Sequence, residues 1–203
     1  MILKVLFGVT ILNSVFLLQV ESEWELRKER NDIRIYTRKV EGYKIQEIKG
    51  VTEIEASPER ILKVLRDVEG YPEWIHSCVT AEVLQRSGDD KIIFYSVIKV
   101  PWPATDRDMV QKMEIEHQQG SIQTHIVSIP ELLPEKKGLI RMPVSNGGWK
   151  LIDRDNGTTL VEMQFLNDAG GSLPGWLVNM LLTESPFQTM SGLKVQVKKD
   201  KYD

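Results

Sequence analysis

A single cysteine, Cys78, among 203 residues leaves no internal disulfide, so packing rather than covalent cross-linking has to hold this chain together. A sizeable secreted domain can be stable without a disulfide, so the scarcity does not identify a compartment. Cys78 itself reads as a small buried hydrophobe. The three histidines, His76, His117 and His125, lack metal-ligand spacing, and no zinc site is expected. There is no G-x-S-x-G nucleophile elbow and no glycine-rich phosphate loop, so neither serine-hydrolase chemistry nor a phosphate cradle has a basis in the sequence. Positive charge is not in excess: 26 Lys and Arg stand against 29 Asp and Glu, a formal charge of -3, and the basic residues are dispersed. That balance argues against a nucleic-acid partner. No metal and no cofactor are expected.

The chain also lacks the run of about 20 apolar residues that a stable membrane span needs. The nearest approach is residues 5–18, which follow Lys4 and are broken by Thr10, Asn13 and Ser14. With residues 19–23 ending the run, residues 1–22 read as an export signal, and an uncleaved anchor is the alternative. There is no Ala-x-Ala cleavage site and no cysteine there to accept a lipid. Export to a periplasm or secretion is therefore expected. No hinge divides the remainder, so residues 23–203 are expected to form one domain, with 41% apolar composition to supply its core.

Short alternating segments dominate up to residue 167. Residues 24–29 and 33–40 read as strands joined at Arg30-Asn31-Asp32, and residues 43–54 as a third whose faces are both mixed. Ser57-Pro58 predicts a helix start, with Ile61, Leu62, Leu65 and Val68 as its buried stripe and Gly70 as its end. Strands follow over residues 79–85, 91–100, 109–116, 121–129, 139–142, 148–153 and 158–166. Between them, 104–108 and 143–147 read as connections. Asp106, Arg107 and Asp108 thus share one turn, with surface contacts as the default and a buried ligand-orienting arginine as the alternative. Glu47, Glu114 and Glu162 would face a cavity only in particular registers.

The strands need a cover, and the best candidate is residues 172–197. Ser172 is a potential cap, and Leu173, Trp176, Leu177, Met180, Leu181, Phe187, Met190, Leu193 and Val197 recur at helical spacing. Pro186 predicts a kink or restart near residues 184–186. A curved antiparallel sheet closed by such a helix either fills with side chains or encloses a cavity. Trp74, beside the rigid Tyr71-Pro72-Glu73-Trp74 loop, fits a packing wedge or the mouth of such a cavity.

These pieces, in this order, resemble the START family of steroidogenic-acute-regulatory-protein-related lipid-transfer domains. The resemblance rests on Trp74 in its loop, Pro101-Trp102-Pro103 followed by Asp106-Arg107-Asp108, Arg141, Gly148-Trp149, and the run from Gly170 to Asn179 entering the last helix. It implies an α+β helix-grip fold, a curved antiparallel sheet wrapped around the C-terminal helix with an internal hydrophobic cavity. It further implies non-enzymatic binding, and transfer or sensing, of a sterol, a phospholipid or another lipid, with transient membrane contact. The ligand-binding candidates are Trp74, Trp102, Arg107, Arg141, Trp176, Leu177, Met180, Leu181 and Met190. Arg107 and Arg141 would serve as salt-bridge or headgroup residues, and the last five as walls or gate. The alternative is a polyketide-cyclase-like enzyme acting on an aromatic substrate, with Arg107, Glu47 and Glu162 positioning it.

Overall fold

The structure is a computed structural model that describes residues 23–43 and 45–203. The proposed leader, residues 1–22, lies outside the described residues. Strands β1 (Glu25–Arg30) and β2 (Ile33–Lys39) form the expected hairpin, turned by Asn31 and Asp32 at φ 52° and 59°. Asn and Asp tolerate this left-handed region, which two-residue hairpin turns require. β3 (Gln46–Ile54) pairs with β2. Helix α1 (Pro58–Arg66) starts as predicted: the Ser57 hydroxyl accepts from the Arg60 amide at 3.3 Å, and Pro58 occupies the first turn, where no amide donor is needed. Its end differs from expectation. The helix closes at Asp67, whose amide donates to the Lys63 and Val64 carbonyls, and Gly70 instead lies inside a 3₁₀ segment, Val68–Glu73.

The remaining strands are β4 (Cys78–Ser87), β5 (Lys91–Ile98), β6 (Arg107–Gln118), β7 (Ser121–Ser128), β8 (Ile140–Arg141), β9 (Val144–Asp153) and β10 (Thr159–Asp168). They form one open sheet in the order β1-β2-β3-β10-β9-β7-β6-β5-β4, antiparallel along that path, with β8 added parallel to β6. Two connections read from the sequence are strand instead. Arg107 and Asp108 open β6, paired with Ile98 and Val97 of β5, and residues 144–147 belong to β9. The second correction has a steric basis: a Cβ at Gly147 would lie 2.0 Å from the Gln164 carbonyl oxygen of β10, so glycine permits a close approach of strands there rather than marking a turn.

Helix α2 (Gly175–Gln196) packs on β1, β2 and β3. Ser172 does not cap it. Pro174 holds the cap position, and its carbonyl accepts from the Leu177 and Val178 amides. Nor does the helix restart at Pro186; it runs as one element, with Pro186 buried beside Phe187. The missing donor costs about 3 kcal/mol in an undisturbed helix, a cost offset by burying apolar side chains on the sheet at about 25 cal/mol per Å². The apolar positions are not one stripe. Leu177, Phe187, Met190 and Leu193 are buried, whereas Trp176 and Val178 are 53% and 39% exposed.

The C-terminal end of α2 is tied down. Arg60 Nε donates to the Val197 carbonyl at 2.8 Å, Lys63 Nζ to the Asp203 carbonyl at 2.8 Å, and the Tyr202 hydroxyl to Asp67 at 2.7 Å. Burial alone would raise the Asp67 carboxyl, but the Tyr202 hydroxyl and the Lys201 ammonium outweigh it and hold the group below its ordinary range. At Gly192 the helix backbone touches the loop before β4: a Cβ there would lie 2.2 Å from the Trp74 carbonyl oxygen. Gly192→Ala is therefore expected to destabilise by about 1–3 kcal/mol, although alanine favours a helix by about 1 kcal/mol. Gly175→Ala, where nothing lies within 4 Å, is expected to be neutral or stabilising. Urea unfolding of both variants checks this; equal midpoints would contradict the close approach.

Candidate functional site

Between α2, the 3₁₀ segment and the concave face of the sheet lies a cavity of about 450 Å³. Alternation along paired strands builds its wall. Phe94, Ser96 and Ile98 of β5 stand opposite Gln111, Met109 and Arg107 of β6, and all six line the cavity because cross-strand partners share a face. Trp149 of β9 and Met163 of β10, also directly paired, add a second wall. Tyr71 and Trp74 close the floor. Tyr71 meets Trp74 edge-on at 5.5 Å and Phe94 at 5.7 Å, and Trp74 meets Trp149 at 6.0 Å. Such geometry suits the ring quadrupoles and adds about 0.5–1.5 kcal/mol per pair. Trp74 therefore packs and lines the cavity at once. Leu181, Leu182 and Ser185 supply the helix side.

Five of the polar residues in this wall sit on β6, β9 and β10. Arg107 is 2% exposed. Its Nε donates to the Ala169 carbonyl at 3.1 Å, Nη2 to the Gly170 carbonyl at 3.2 Å, and Nη1 to the Thr105 carbonyl. Burial pushes its guanidinium below the ordinary arginine range, which the charge of Asp106 partly opposes. Gln111 Nε2 donates to the Ser145 hydroxyl at 3.0 Å, and that hydroxyl donates to Asn167 Oδ1 at 2.8 Å. Cys78 also lines the cavity; burial raises its thiol to about 11, so it is protonated at neutral pH.

Because β6 alternates, Asp108 points away from Arg107. It forms a two-bond ion pair with Arg141, Nε to Oδ1 at 3.0 Å and Nη2 to Oδ2 at 2.9 Å, with side chains 1% and 5% exposed. Arg141 also donates to the Leu133 carbonyl at 2.9 Å and the Pro130 carbonyl at 2.5 Å, and its guanidinium is raised by the Asp108 bonds. It pins the 130–134 segment and does not line the cavity.

Of the residues singled out in the sequence, Trp74, Arg107 and Leu181 line the cavity. The other six are elsewhere. Arg141 is committed to Asp108, Trp102 is 87% exposed and Trp176 53% exposed. Leu177 and Met190 are spent in packing, and Met180 lies outside the lining. Five apolar residues of the helix read as walls or gate, but its contact with β1–β3 uses much of the inward face for packing. Glu47 is bonded to Arg38 Nε and Gln164 Nε2, each at 2.6 Å, and Glu114 pairs with Lys91 and Lys112 at 3.4 Å. Neither these nor Glu162 lines the cavity. The sequence reading missed Met109, Gln111 and Met163. Two-residue alternation from Arg107 would have found the first two had β6 been started two residues earlier. Among the described residues no three His, Cys, Asp or Glu side chains form a metal-binding group.

This architecture is shared. The chain belongs to the polyketide cyclase / dehydrase and lipid transport family, whose model matches residues 54–193. It is START-like within that family: a STAR-related lipid transfer protein from Xanthomonas axonopodis superposes with a TM-score of 0.80 at 32% identity, over 87% of this chain and 99% of that one. An uncharacterized protein of Pseudomonas aeruginosa is 36% identical over 87% of this chain and 88% of its own length. The phosphatidylcholine transfer protein of Mus musculus is 25% identical over 78% and 76%, respectively.

Separating the cavity wall from the ion pair behind it gives a test. Arg141→Ala leaves Asp108 buried and unpaired and is expected to cost about 3–5 kcal/mol, whereas Trp102→Ala, at a site 87% exposed, is expected to stay within about 0.5 kcal/mol. Denaturant unfolding of both variants reads the difference; an Arg141→Ala protein of unchanged stability would refute the structural role of the pair.

Proposed function

We propose that this protein binds one lipid molecule non-covalently in its internal cavity and carries or senses it, without chemical conversion. The observation that carries this reading is a cavity of about 450 Å³ walled by Phe94, Ile98, Trp149, Met163, Phe165 and the inner side chains of α2. Every 100 Å² of apolar ligand surface buried there contributes about 2.5 kcal/mol before the costs of ordering and headgroup desolvation. A chain or ring system thus holds without a covalent bond. Relatives named as lipid transfer proteins support the same reading. The cyclase alternative draws less support, because Glu47 and Glu162 do not join Arg107 in the cavity wall.

Transient membrane contact and export belong to the same proposal. Trp102 lies between the cavity-lining Val100 and Arg107, and Trp176 between the lining Leu173 and Val178; both indoles are more than half exposed. An indole suits a membrane interface, where its apolar body and its N–H are both accommodated. The leader read in residues 1–22 would deliver the protein to an extracytoplasmic space, periplasmic or external.

Native mass measurement after mild extraction is expected to show one retained lipid per chain, and purified protein is expected to speed lipid exchange between separate vesicle populations. Trp102→Ala and Trp176→Ala should slow exchange more than they weaken binding. A protein that retains nothing and binds no added lipid would overturn the reading. Fractionation with sequencing of the mature N-terminus tests export, which full-length cytoplasmic protein would refute.

A further inference from the structure

Arg107 is a buried cation without an ionic partner among the described residues. A guanidinium has five N–H donors, and three of those of Arg107 go to the Thr105, Ala169 and Gly170 carbonyls. Two remain, and no carboxylate among the described residues forms an ion pair with it. Asp106 is adjacent in sequence, but its carboxylate accepts from the Val100 amide at 2.9 Å and is not within ion-pairing distance. Asp168, also in the cavity wall, accepts from the Gly170 amide at 2.9 Å. Backbone carbonyls orient the guanidinium without cancelling its charge, and an uncompensated buried charge favours any anion that can reach it.

Other polar groups of the cavity wall have hydrogen-bonding capacity to spare. Among the described residues, Gln111, on the same face of β6, uses its amide nitrogen on Ser145, leaving its oxygen without a partner; Asn167 accepts through its oxygen, leaving its nitrogen free; the Ser96 hydroxyl has no hydrogen-bond partner. All three line the cavity. The surroundings also give the cavity a direction. Ala169 and Gly170, which hold Arg107, continue into Gly171, exposed and lining, while the buried aromatic side chains Tyr71, Trp74, Phe94 and Trp149 gather in another part of the wall, Phe94 beside Gln111. A polar end therefore lies near the rim and an aromatic floor at depth.

The cavity of about 450 Å³ has room for at least one acyl chain. We propose that the occupant is a lipid with an anionic head, carboxylate or phosphate, seated with the head at Arg107 and the apolar part against the aromatic side chains. This rests on the lipid-binding reading and narrows it. The oxygens of such a head take the two unused guanidinium N–H groups, and its outer atoms meet Ser96 and Asn167.

Delipidated full chain, titrated calorimetrically with palmitate, 1-palmitoyl-lysophosphatidate, methyl palmitate, cholesterol and phosphatidylcholine vesicles, tests this. Palmitate or lysophosphatidate is expected to bind one per chain and at least about ten-fold more tightly than methyl palmitate, a 1.4 kcal/mol difference. Whichever acid is preferred tells a carboxylate head from a phosphate head. Arg107→Gln should erase the preference over the ester. Since that variant also loses carbonyl contacts, the unaltered protein supplies a second readout: the carboxyl carbon resonance of bound [1-13C]palmitate should titrate at least about 1 pH unit lower than in vesicles, as expected beside a cation. An ester that binds as tightly as the acid, or a bound carboxyl that titrates as in vesicles, overturns the proposal. Binding of cholesterol or phosphatidylcholine without either acid overturns it while leaving lipid binding intact, and failure of all five probes removes both.

Discussion

The cavity depends on how α2 is held: firmly at one end and lightly at the other. At Gly192 the helix backbone meets the Trp74 carbonyl so closely that no side chain fits between them. That contact fixes the height of the helix over the sheet. It also fixes Trp74, whose ring joins Tyr71, Phe94 and Trp149 in the aromatic floor. Seating the helix and building the floor are therefore one event. The C-terminal residues reinforce it through Arg60, Lys63 and Asp67 on and just beyond α1, a set of part-exposed polar contacts that would each be modest alone. Toward the N-terminus of α2 Leu177 is buried, but Trp176 and Val178 beside it are 53% and 39% exposed. A helix packed equally along its length on the concave sheet would leave less space between the layers.

Two adjacent residues show how strand alternation separates structure from binding. Arg107 and Asp108 carry opposite charges one residue apart, yet they point to opposite faces of β6 and never pair. Asp108 finds Arg141 behind the sheet, and that pair holds the 130–134 segment. Arg107 is left in the cavity wall with carbonyl partners only. Had the two residues shared a turn, they would have been free to neutralise each other locally. Placement in a strand forces the cation inward and gives the anion another partner.

That difference also explains what was legible in the sequence. The hairpin at Asn31-Asp32 and the start of α1 at Ser57-Pro58 were readable because their signals are local: a left-handed turn and a side-chain cap involve only residues within a few positions. Strand existence was readable from alternation, and the curved sheet with its covering helix from the order of elements together with the START resemblance. What failed was nonlocal. The start of β6 at Arg107 is set by pairing with Ile98 on β5 and by β8 on the other side, and the strand character of residues 144–147 is set by pairing with β10. Periodicity along α2 identified a helix correctly but could not say which apolar residues meet the sheet and which meet the cavity. Met190 illustrates this: it packs against Gly50 of β3, a small residue whose role emerges only when the helix is laid across it.

The position of Pro186 follows from the same asymmetry. Proline cannot donate to the carbonyl four residues back, so the helix ladder is one bond short at Leu182, a residue of the cavity wall. The defect falls between the half-exposed turns near Trp176 and the buried turns carrying Phe187, Met190 and Leu193. Displacing the first part would uncover one fully buried side chain, Leu177, and the proline means that one fewer backbone bond couples it to the second. Displacing the second would uncover the core side chains and break the Gly192 contact. Local opening free energy is set by what each segment buries, so the cheaper displacement is at the end of α2 that borders the rim, with the sheet and the aromatic floor left in place.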